Sequence, residues 1–444
     1  MKKFRYKAAV AALTLVVAAG MCVPLSACDG GVDWGQFSET DFLTVEGSLV
    51  KNGNDETVQL RGVNAGGLLV TEHWMTGFLY GKTPSNDYRS LTQTFIQRFG
   101  EKKTKKLWTE YRANWWTEND FKYCAEMGFN VIRLPFTYMN LDFAAVTDYA
   151  NAGKQYDFTV LDDFVETAAK YGMYTILDMH GAYGSQNGQD HSGQIIATAE
   201  EVDFYTNERM ISLTCDLWKA IAERYKDHPA VAGYDILNEP GEKAGTTSKR
   251  HWDIYDRIYK SIRSVDERHI VIFESCWDGK NLPHPSEYGW ENCMYSFHHY
   301  AGDKIDVNTH MASWQNKMTD IESRNFGVPL QMGEFTCYTN AEKWEKTLTL
   351  LNDHNWHWAS WTYKIWGNNA WGVMNIRGSN DDKVNAAEDT YETILKKFKI
   401  LLTDGSYTQN YTFTKKNESG ENEVYKTLEE IYKESFLSAQ SGKA

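Results

Sequence analysis

Two glutamates follow short apolar runs, and a pair of carboxyl groups is what the cleavage of a glycosidic bond requires. Glu239 follows the run GYDILN, and Glu334 follows the run VPLQMG. One carboxyl must protonate the leaving oxygen, while the second attacks the sugar or activates a water molecule. A single glutamate is most often a solvated surface residue, so the hypothesis depends on the residues that surround the two.

Polar or aromatic side chains recur where the other apolar runs end. Parallel barrels build their active sites at the carboxyl ends of their strands, so this repetition predicts one shared site. The fifth run, which ends near Glu274, is the one that lacks the feature. The residues at or just after the other ends are Asn64, Arg133, His180, Asn238, His298, Tyr300 and Trp361.

Short apolar runs alternate with amphipathic stretches, which indicates a parallel sheet with crossover helices. The sequence predicts an α/β fold, namely a (β/α)8 TIM barrel with an N-terminal β-hairpin and a C-terminal extension. Strands are expected at 60–64, 130–134, 174–179, 231–237, 270–273, 294–297, 329–332 and 359–363. Helices are expected at 119–127, 161–171, 204–225, 252–265, 311–324 and 344–352, with no clear helix between the fifth and sixth strands.

Additional elements are predicted on both sides of the barrel region. Residues 43–60 predict a hairpin that turns at Asn52-Gly-Asn-Asp55 and plugs the bottom of the barrel. After Trp371 we expect a closing helix at 386–402, a further strand at 407–414 and a last helix at 426–438.

The first residues have the pattern of an export signal. Four basic residues precede an apolar stretch at 8–25, which is interrupted and indicates a cleaved signal rather than a spanning helix. The ending Leu25-Ser-Ala-Cys28 resembles a bacterial lipobox, which implies that Cys28 carries lipid; an ordinary cleaved signal is the alternative. The prediction is a signal at 1–28, a tether at 29–41 and one barrel domain at 42–444, on a lipid-anchored cell-surface protein or a secreted one.

The chain is acidic, with a formal net charge of −14 at pH 7. Such a surface does not suit nucleic acid, which proteins bind mainly through Lys and Arg on phosphate. No CxxC pair and no HExxH helix occurs, so we expect no metal and no cofactor. Without Cys22 and Cys28 an odd five cysteines remain, which argues against a complete disulfide framework. We expect a monomer that touches a membrane only through its lipid anchor.

Five motifs together resemble glycoside hydrolase family 5, over roughly residues 43–371. They are RGVN at 61–64, VIRLP at 131–135, LNEP at 237–240, HHY at 298–300 and GEF at 333–335. The resemblance implies that Glu239 is the general acid/base and Glu334 the nucleophile of a retaining reaction on a β-glucan or β-glucoside. It also implies carboxyl groups about 5–5.5 Å apart.

The resemblance implies roles for the neighbours of the two glutamates. Arg133 beside Glu334 would keep the nucleophile ionised, and Asn238 would hold the 2-hydroxyl of the sugar. Tyr300 would hydrogen-bond the nucleophile and steer it. Arg133 and Tyr300 would therefore act on the nucleophile, and Asn238 on the sugar.

Two histidines and a tryptophan complete the implied site. Strand periodicity places His298 on the face of Tyr300 and His299 on the opposite face, so His298 is assigned to the site and His299 to a structural role. His180 would bind sugar hydroxyls at the end of the third strand. Trp361 would form the floor beneath the sugar.

Within the family, three motifs are similar to those of the exo-β-1,3-glucanases. They are RGVNAGGLLVTEHW at 61–74, HGAYGSQNGQDHSG at 180–193 and WTYK at 361–364. In those enzymes the residues that match Glu72 and Asp190 hold hydroxyls of a terminal glucose in a pocket. This similarity implies an exo-β-1,3-glucanase or a β-glucosidase.

Two departures keep other functions open. Leu68 replaces a usual tryptophan, and only 27 positions separate Glu334 from Trp361, so a long loop of the fungal enzymes is missing. The linkage therefore stays open among β-1,3, β-1,4, β-1,6 and aglycone bonds. The alternatives are an endo-β-1,4-glucanase (cellulase) of the same family and a non-catalytic glycan-binding lipoprotein. Sugar platforms and packing residues are equally good interpretations of Trp74, Trp366 and Trp371.

Overall fold

Eight parallel strands close into a barrel in the computed structural model of the chain, which describes residues 33–79, 87–196, 202–241, 248–275, 278–417 and 419–441. The strands follow one another around the barrel in chain order, and the last pairs with the first. The predicted fold class and all eight predicted strands are confirmed, with bounds that differ by at most three residues. The strands are β3 (Arg61–Asn64), β4 (Val131–Thr137), β5 (Tyr174–Gly181), β6 (Val231–Asp235), β7 (Ile270–Glu274), β8 (Cys293–His299), β9 (Leu330–Phe335) and β10 (His357–Ser360).

Helices surround the barrel, and each predicted helix is present. Two further helices between β3 and β4, α1 and α2, were not predicted, because the lysine-rich stretch that begins α2 hides its apolar face in the sequence. Between β7 and β8 the described residues form only two short 3-10 turns, as expected. The helices are α1 (Tyr88–Phe99), α2 (Glu101–Trp115), α3 (Glu118–Glu126), α4 (Tyr138–Leu141), α5 (Thr159–Lys170), α6 (Glu208–Tyr225), α7 (Ser248–Arg263), α8 (Val307–Glu322) and α9 (Ala341–Asp353).

An N-terminal hairpin covers the bottom of the barrel, but it turns earlier than predicted. Strands β1 (Thr44–Glu46) and β2 (Leu49–Lys51) are joined through Gly47, whose φ of 58° is a conformation that glycine adopts without strain. The predicted turn at 52–55 instead returns the chain from β2, so that Lys51 pairs with Thr57. The hairpin residues Leu43 and Val50 pack against the apolar residues at the strand starts, which confirms the predicted plug.

The C-terminal extension packs against the outside of the barrel near the strand where it closes. The predicted closing helix is shorter, because Asn385 and Asp389 form a hydrogen-bonded turn before it. The predicted strand at 407–414 is split in two, and the predicted last helix is present. The elements are β11 (Lys364–Trp366), β12 (Met374–Ile376), α10 (Tyr391–Phe398), β13 (Thr408–Asn410), β14 (Thr412–Lys416), β15 (Asn422–Thr427) and α11 (Leu428–Ser441).

The predicted signal, Cys28 and Cys276 lie outside the described residues. Residues 33–41, the described part of the predicted tether, run beside α5, where the Gln36 backbone N–H donates to the Ala169 carbonyl. None of the helices that the structure describes is both long and apolar enough to cross a bilayer. The four described cysteines, Cys124, Cys215, Cys293 and Cys337, are buried free thiols.

Candidate active site

A single buried arginine organises the carboxyl end of the barrel. The guanidinium of Arg133 on β4 lies 3.1 Å from Asp178, 2.9 Å from Asp235, 3.4 Å from Glu274 and 2.9 Å from Glu334. These five residues come from five different strands, and the four carboxyl groups approach one planar fork of donors. Such a fork fixes several carboxyl groups at once, which a lysine could not do.

Protons must offset part of the negative charge around this arginine. Burial raises the pKa of Asp178 to about 7 and that of Asp235 to about 6, although Arg133 lowers both. Burial and the neighbouring Asp235 raise the pKa of Glu274 well above its usual range. Burial in a site with too few cations therefore favours the protonated form of Glu274 over its anion.

The predicted nucleophile, Glu334, is held by donors on both carboxylate oxygens. Arg133 donates to Oε1 at 2.9 Å, and the Tyr300 hydroxyl donates to Oε2 at 2.8 Å. A Cβ at Gly333 would lie 2.5 Å from Ser296 Oγ, so only glycine fits immediately before the nucleophile. These contacts fix the carboxylate at the end of β9 with its reactive oxygens towards the barrel opening.

The predicted acid/base, Glu239, sits in a strained backbone conformation just beyond β6. Its φ is 40°, which costs a non-glycine residue about 1–3 kcal/mol and is typical of functional sites. The strain is held from both sides, since its N–H donates to Glu274 Oε1 at 2.9 Å and its carbonyl accepts from Asn187 Nδ2 at 3.1 Å. Glu274 therefore acts on the position of the acid/base.

Two histidines flank the carboxyl group of Glu239. His298 Nδ1 lies 2.8 Å from Oε1, and His191 Nε2 lies 3.1 Å from Oε2. Burial raises the pKa of Glu239, but the hydrogen bonds from His191 and His298 outweigh it and hold the pKa well below its usual value. Glu239 is therefore ionised at neutral pH.

The two glutamates lie at the separation that a retaining reaction needs. One oxygen of Glu239, one oxygen of Glu334 and a ring nitrogen of His298 all lie within 4.8 Å of one another. Carboxyl groups about 5–5.5 Å apart allow direct attack on the sugar, whereas an inverting enzyme needs about 6.5–9.5 Å to admit water.

Asn238 and His180 present polar atoms next to the nucleophile. Asn238 Oδ1 accepts from Arg133 at 2.8 Å, while its Nδ2 is buried without a hydrogen-bond partner among the described residues. His180 Nδ1 lies 2.5 Å from Asp178, and burial lowers the pKa of His180 to about 3, so its ring is neutral. His180 lines the cavity of the site, and the sugar contacts of Asn238 and His180 remain predictions.

The site opens into a cavity of about 490 Å³, within the range of small-ligand pockets. Trp361 is stacked on His180, with ring centroids 5.4 Å apart, and forms one side. Trp74 and Trp371 meet edge to face at 5.2 Å and form another, whereas Trp366 is a core residue. The lining residues are Glu72, Trp74, His180, His191, Glu239, Tyr300, Glu334, Trp361 and Trp371.

Of the two residues expected to hold a terminal glucose, one lines the cavity and the other lies behind it. Glu72 faces the cavity and accepts from Trp74 Nε1 at 2.7 Å, and burial raises its pKa to about 8. Asp190 lies beside it, with its carboxylate 2.9 Å from His73 Nδ1. The sugar contacts of Glu72 and Asp190 remain predictions.

Sequence reasoning missed four residues of this site. Asp178 precedes His180 by two positions in an apolar strand, so the period of a strand could have placed it on the same face. Asp235 and Glu274 are likewise charged residues within apolar runs, which is unusual unless they are paired. His191 lies in a loop without periodicity, so no comparable signal pointed to it.

Among the residues that the structure describes, two groups of side chains have donor atoms close enough to hold a cation. They are Glu72 with Asp190 and His191, and Glu239 with His298 and Glu334. Every member already has a hydrogen bond or ion pair within the protein. The arrangement therefore has a complete protein explanation, and the expectation of no metal stays a prediction.

The chain is similar to a family of glycoside hydrolases and to individual proteins named for glycosidase activity. A model of the cellulase family, glycosyl hydrolase family 5, matches residues 95–367, more than half of the chain. A β-xylosidase of Phanerodontia chrysosporium is 26% identical over 353 residues, which are 73% of this chain and 71% of that protein. A probable glucan 1,3-β-glucosidase A of Aspergillus fumigatus is 27% identical over 282 residues, 62% of this chain and 65% of that protein.

The fold is also shared with solved structures. An endogalactoceramidase crystal structure superposes with a TM-score of 0.56 at 19% identity, covering 89% of this chain and 84% of that one. A rutinosidase from Aspergillus niger superposes with a TM-score of 0.55 at 17% identity, covering 70% of this chain and 91% of that one. At such identities the likeness shows a common barrel fold and carries no information about the substrate.

Proposed function

The chain belongs to glycosyl hydrolase family 5, and we propose that it removes terminal glucose from β-glucans or β-glucosides with retention of configuration. The observation that carries the proposal is the pair Glu239 and Glu334, whose carboxylate oxygens lie within 4.8 Å beside a cavity of about 490 Å³. That separation suits double displacement rather than inversion.

The proposed reaction has two steps. Glu334 attacks the anomeric carbon while Glu239 delivers a proton to the leaving oxygen, and a covalent glycosyl-enzyme forms. Glu239 then takes a proton from water, and the water oxygen displaces Glu334 from the anomeric carbon. Tyr300 and Arg133 support this exchange, because they hold the carboxylate of Glu334 in one orientation.

The substrate class rests on relatives and on the cavity. The second relative described above is named for glucan 1,3-β-glucosidase activity, and the first for β-xylosidase activity. Glu72 and the paired Trp74 and Trp371 line the cavity together with the catalytic residues, which favours a chain end over an internal segment. An endo-β-1,4-glucanase is the second candidate, because a cavity that opened into a cleft would admit an internal bond.

Product analysis tests the proposal. The soluble protein starting after Asp29 is incubated with laminari-oligosaccharides, cello-oligosaccharides and an aryl β-glucoside, and the first product is followed by NMR. Glucose released singly as the β-anomer from β-1,3 chains is the expected result. Release of α-glucose would refute retention, and mixed oligosaccharides from β-1,4 chains would favour the endoglucanase. The Glu334→Gln variant should bind oligosaccharide but lose about 10³-fold or more in turnover.

We also propose that the mature protein is a monomer anchored at a cell surface through lipid on Cys28. The support is the order of basic residues, apolar stretch and LSAC ending in the first 28 residues, which lie outside the described part of the chain. A Cys28→Ser protein should leave the membrane fraction of the producing bacterium. Recovery of that variant in the same membrane fraction as the wild type would refute the anchor.

A further inference from the structure

His191 reaches the acid/base glutamate from the loop that follows β5. Its Nε2 lies 3.1 Å from Glu239 Oε2, and both residues line the cavity. We propose that His191 is a positioning residue that stores the catalytic proton and shares it with Glu239. The inference rests on the proposed function, since it assumes that Glu239 is the acid/base.

The contacts of Glu239 single out the oxygen that must carry the proton. Oε1 is occupied by His298 Nδ1 at 2.8 Å, and the His298 side chain is fully buried. Oε2 is the oxygen beside His191, whose side chain is 23% exposed at the cavity wall. A leaving oxygen in the cavity would therefore meet Oε2, and His191 is the adjacent group that can supply its proton.

Asn187 places the imidazole so that it can exist in two proton states. Asn187 Nδ2 lies 2.9 Å from His191 Nε2 and 3.1 Å from the Glu239 carbonyl, so one amide links the two residues. When Nε2 carries a proton, it donates to Glu239 Oε2. When Nε2 has lost the proton, it accepts from Asn187. Either state of the ring therefore has a partner, but the Asn187 amide must turn away from Nε2 when the ring is protonated, because two N–H donors cannot bond each other across 2.9 Å.

The charges around His191 favour the protonated ring. Burial lowers its pKa, but Glu239, Glu72 and Asp190 outweigh burial and raise the pKa to about 9. The other titratable groups nearby are His180, which is neutral because burial lowers its pKa to about 3, and His73, which binds the far side of Asp190. Across the cavity lie the carboxylate of Glu334 and, behind it, His298 and Arg133.

The proton balances over both steps of the reaction. As Glu334 bonds to the anomeric carbon and the bond to the leaving oxygen breaks, His191 Nε2 passes its proton to Glu239 Oε2, and Glu239 passes a proton to that oxygen. In the second step water gives a proton to Glu239 and its oxygen bonds to the anomeric carbon, while the bond to Glu334 breaks. The proton returns to His191, so the sum consumes one water.

The test compares two leaving groups over pH in the wild type and in His191→Asn. A disaccharide needs its leaving oxygen protonated, whereas 2,4-dinitrophenyl β-glucoside has a leaving group that needs no acid. For the variant we expect the basic limb of kcat/KM on laminaribiose to move down by about two pH units, because Glu239 alone must then hold the proton. Turnover of the dinitrophenyl substrate should change by less than about threefold.

Further variants separate proton storage from structural support. His191→Gln can still hydrogen-bond Glu239 but cannot titrate, so its basic limb should match that of His191→Asn. His354→Asn is the matched control at an exposed histidine paired with Glu322, and its profile should equal the wild type.

Three results would count against the idea. Equal losses of turnover on both substrates, or a basic limb that does not move, would overturn the proposed role of His191 and leave the proposed function standing. A wild type that turns over neither substrate would overturn the proposed function and this inference with it.

Discussion

At the bottom of the barrel the inward side chains are apolar, whereas at the top the inward side chains of the same strands are ionisable. On β5, Tyr174 and Ile176 are followed at the same spacing of two residues by Asp178 and His180. On β4, Val131 is followed by Arg133 in the same way. On β4 and β5, one face of the strand therefore changes from apolar side chains at the bottom to ionisable side chains at the top.

This difference separates stability from function. Burial of apolar area at the bottom contributes about 25 cal/mol per Å², whereas buried charges at the top are costly unless each is paired. The stability of the top therefore depends on a few specific ion pairs, above all those of Arg133. The stability of the bottom depends on close packing of apolar side chains. Substitutions at the two ends should consequently fail in different ways.

The largest effect is expected from Arg133→Met at the top. The substitution leaves Asp178, Asp235, Glu274 and Glu334 without their shared cation, so the free energy of unfolding should fall by about 3–5 kcal/mol near pH 7. Turnover should fall by at least about 10²-fold, because Glu334 loses the donor on Oε1. Chemical denaturation and kcat/KM measure the two effects.

Arg61→Met provides the matched control for the arginine. Arg61 has no carboxylate partner within 4 Å among the described residues, and its guanidinium lies 4.4 Å from the Phe436 ring centre. Its loss should cost about 0.5–1 kcal/mol and leave turnover unchanged. Equal effects of the two substitutions would break the contrast between the ends of the barrel.

The next largest effect is expected from Ile176→Ala at the bottom. Ile176 is fully buried in the apolar cluster, so the cavity left behind should lower the free energy of unfolding by about 2–5 kcal/mol. The kcat/KM of the folded protein should stay within about twofold, because no polar partner in the site is lost. The exposed Ile195 serves as control, since Ile195→Ala should cost under about 0.5 kcal/mol. A large loss of turnover in Ile176→Ala would show that the two ends are coupled.

The smallest effect is expected from Glu274→Gln, which sharpens the comparison. Because the raised pKa of Glu274 favours its neutral form, glutamine should preserve the charge, and its side-chain oxygen can still accept the Glu239 backbone N–H. Turnover of Glu274→Gln should remain within about tenfold of the wild type. Glu274→Ala should lose more turnover and about 1–3 kcal/mol of stability, because it leaves the Glu239 backbone N–H unpaired. If Gln and Ala reduce turnover equally, Glu274 acts as an anion and the proton assignment is wrong.

Much of the fold was predictable because its signals are local. The eight strands were found from apolar runs, since a parallel barrel strand is buried on both faces. The hairpin turn was placed wrongly, because Asn52-Gly-Asn-Asp55 and Gly47-Ser48 are both good turn sequences and only pairing in space chooses between them. Helices α1 and α2 were missed because their charged residues obscured the apolar spacing in the chain.

The sequence by itself determined which residues reach the top of the barrel. Each predicted site residue in the barrel follows or ends an apolar run, and strand direction fixes that position without reference to any partner. Glu239 and Glu334 could thus be named from their runs and from the family motifs.

Only the tertiary structure decided how these residues are paired and protonated. Barrel closure brings Arg133 and Glu334 to 2.9 Å although 201 positions separate them in the chain. Burial then raises the pKa of Glu274, and a loop without periodicity brings His191 to Glu239. Distances and burial set the pKa values of these groups, and neither can be read from the order of residues. The protonation states of the site are therefore decided by the tertiary structure.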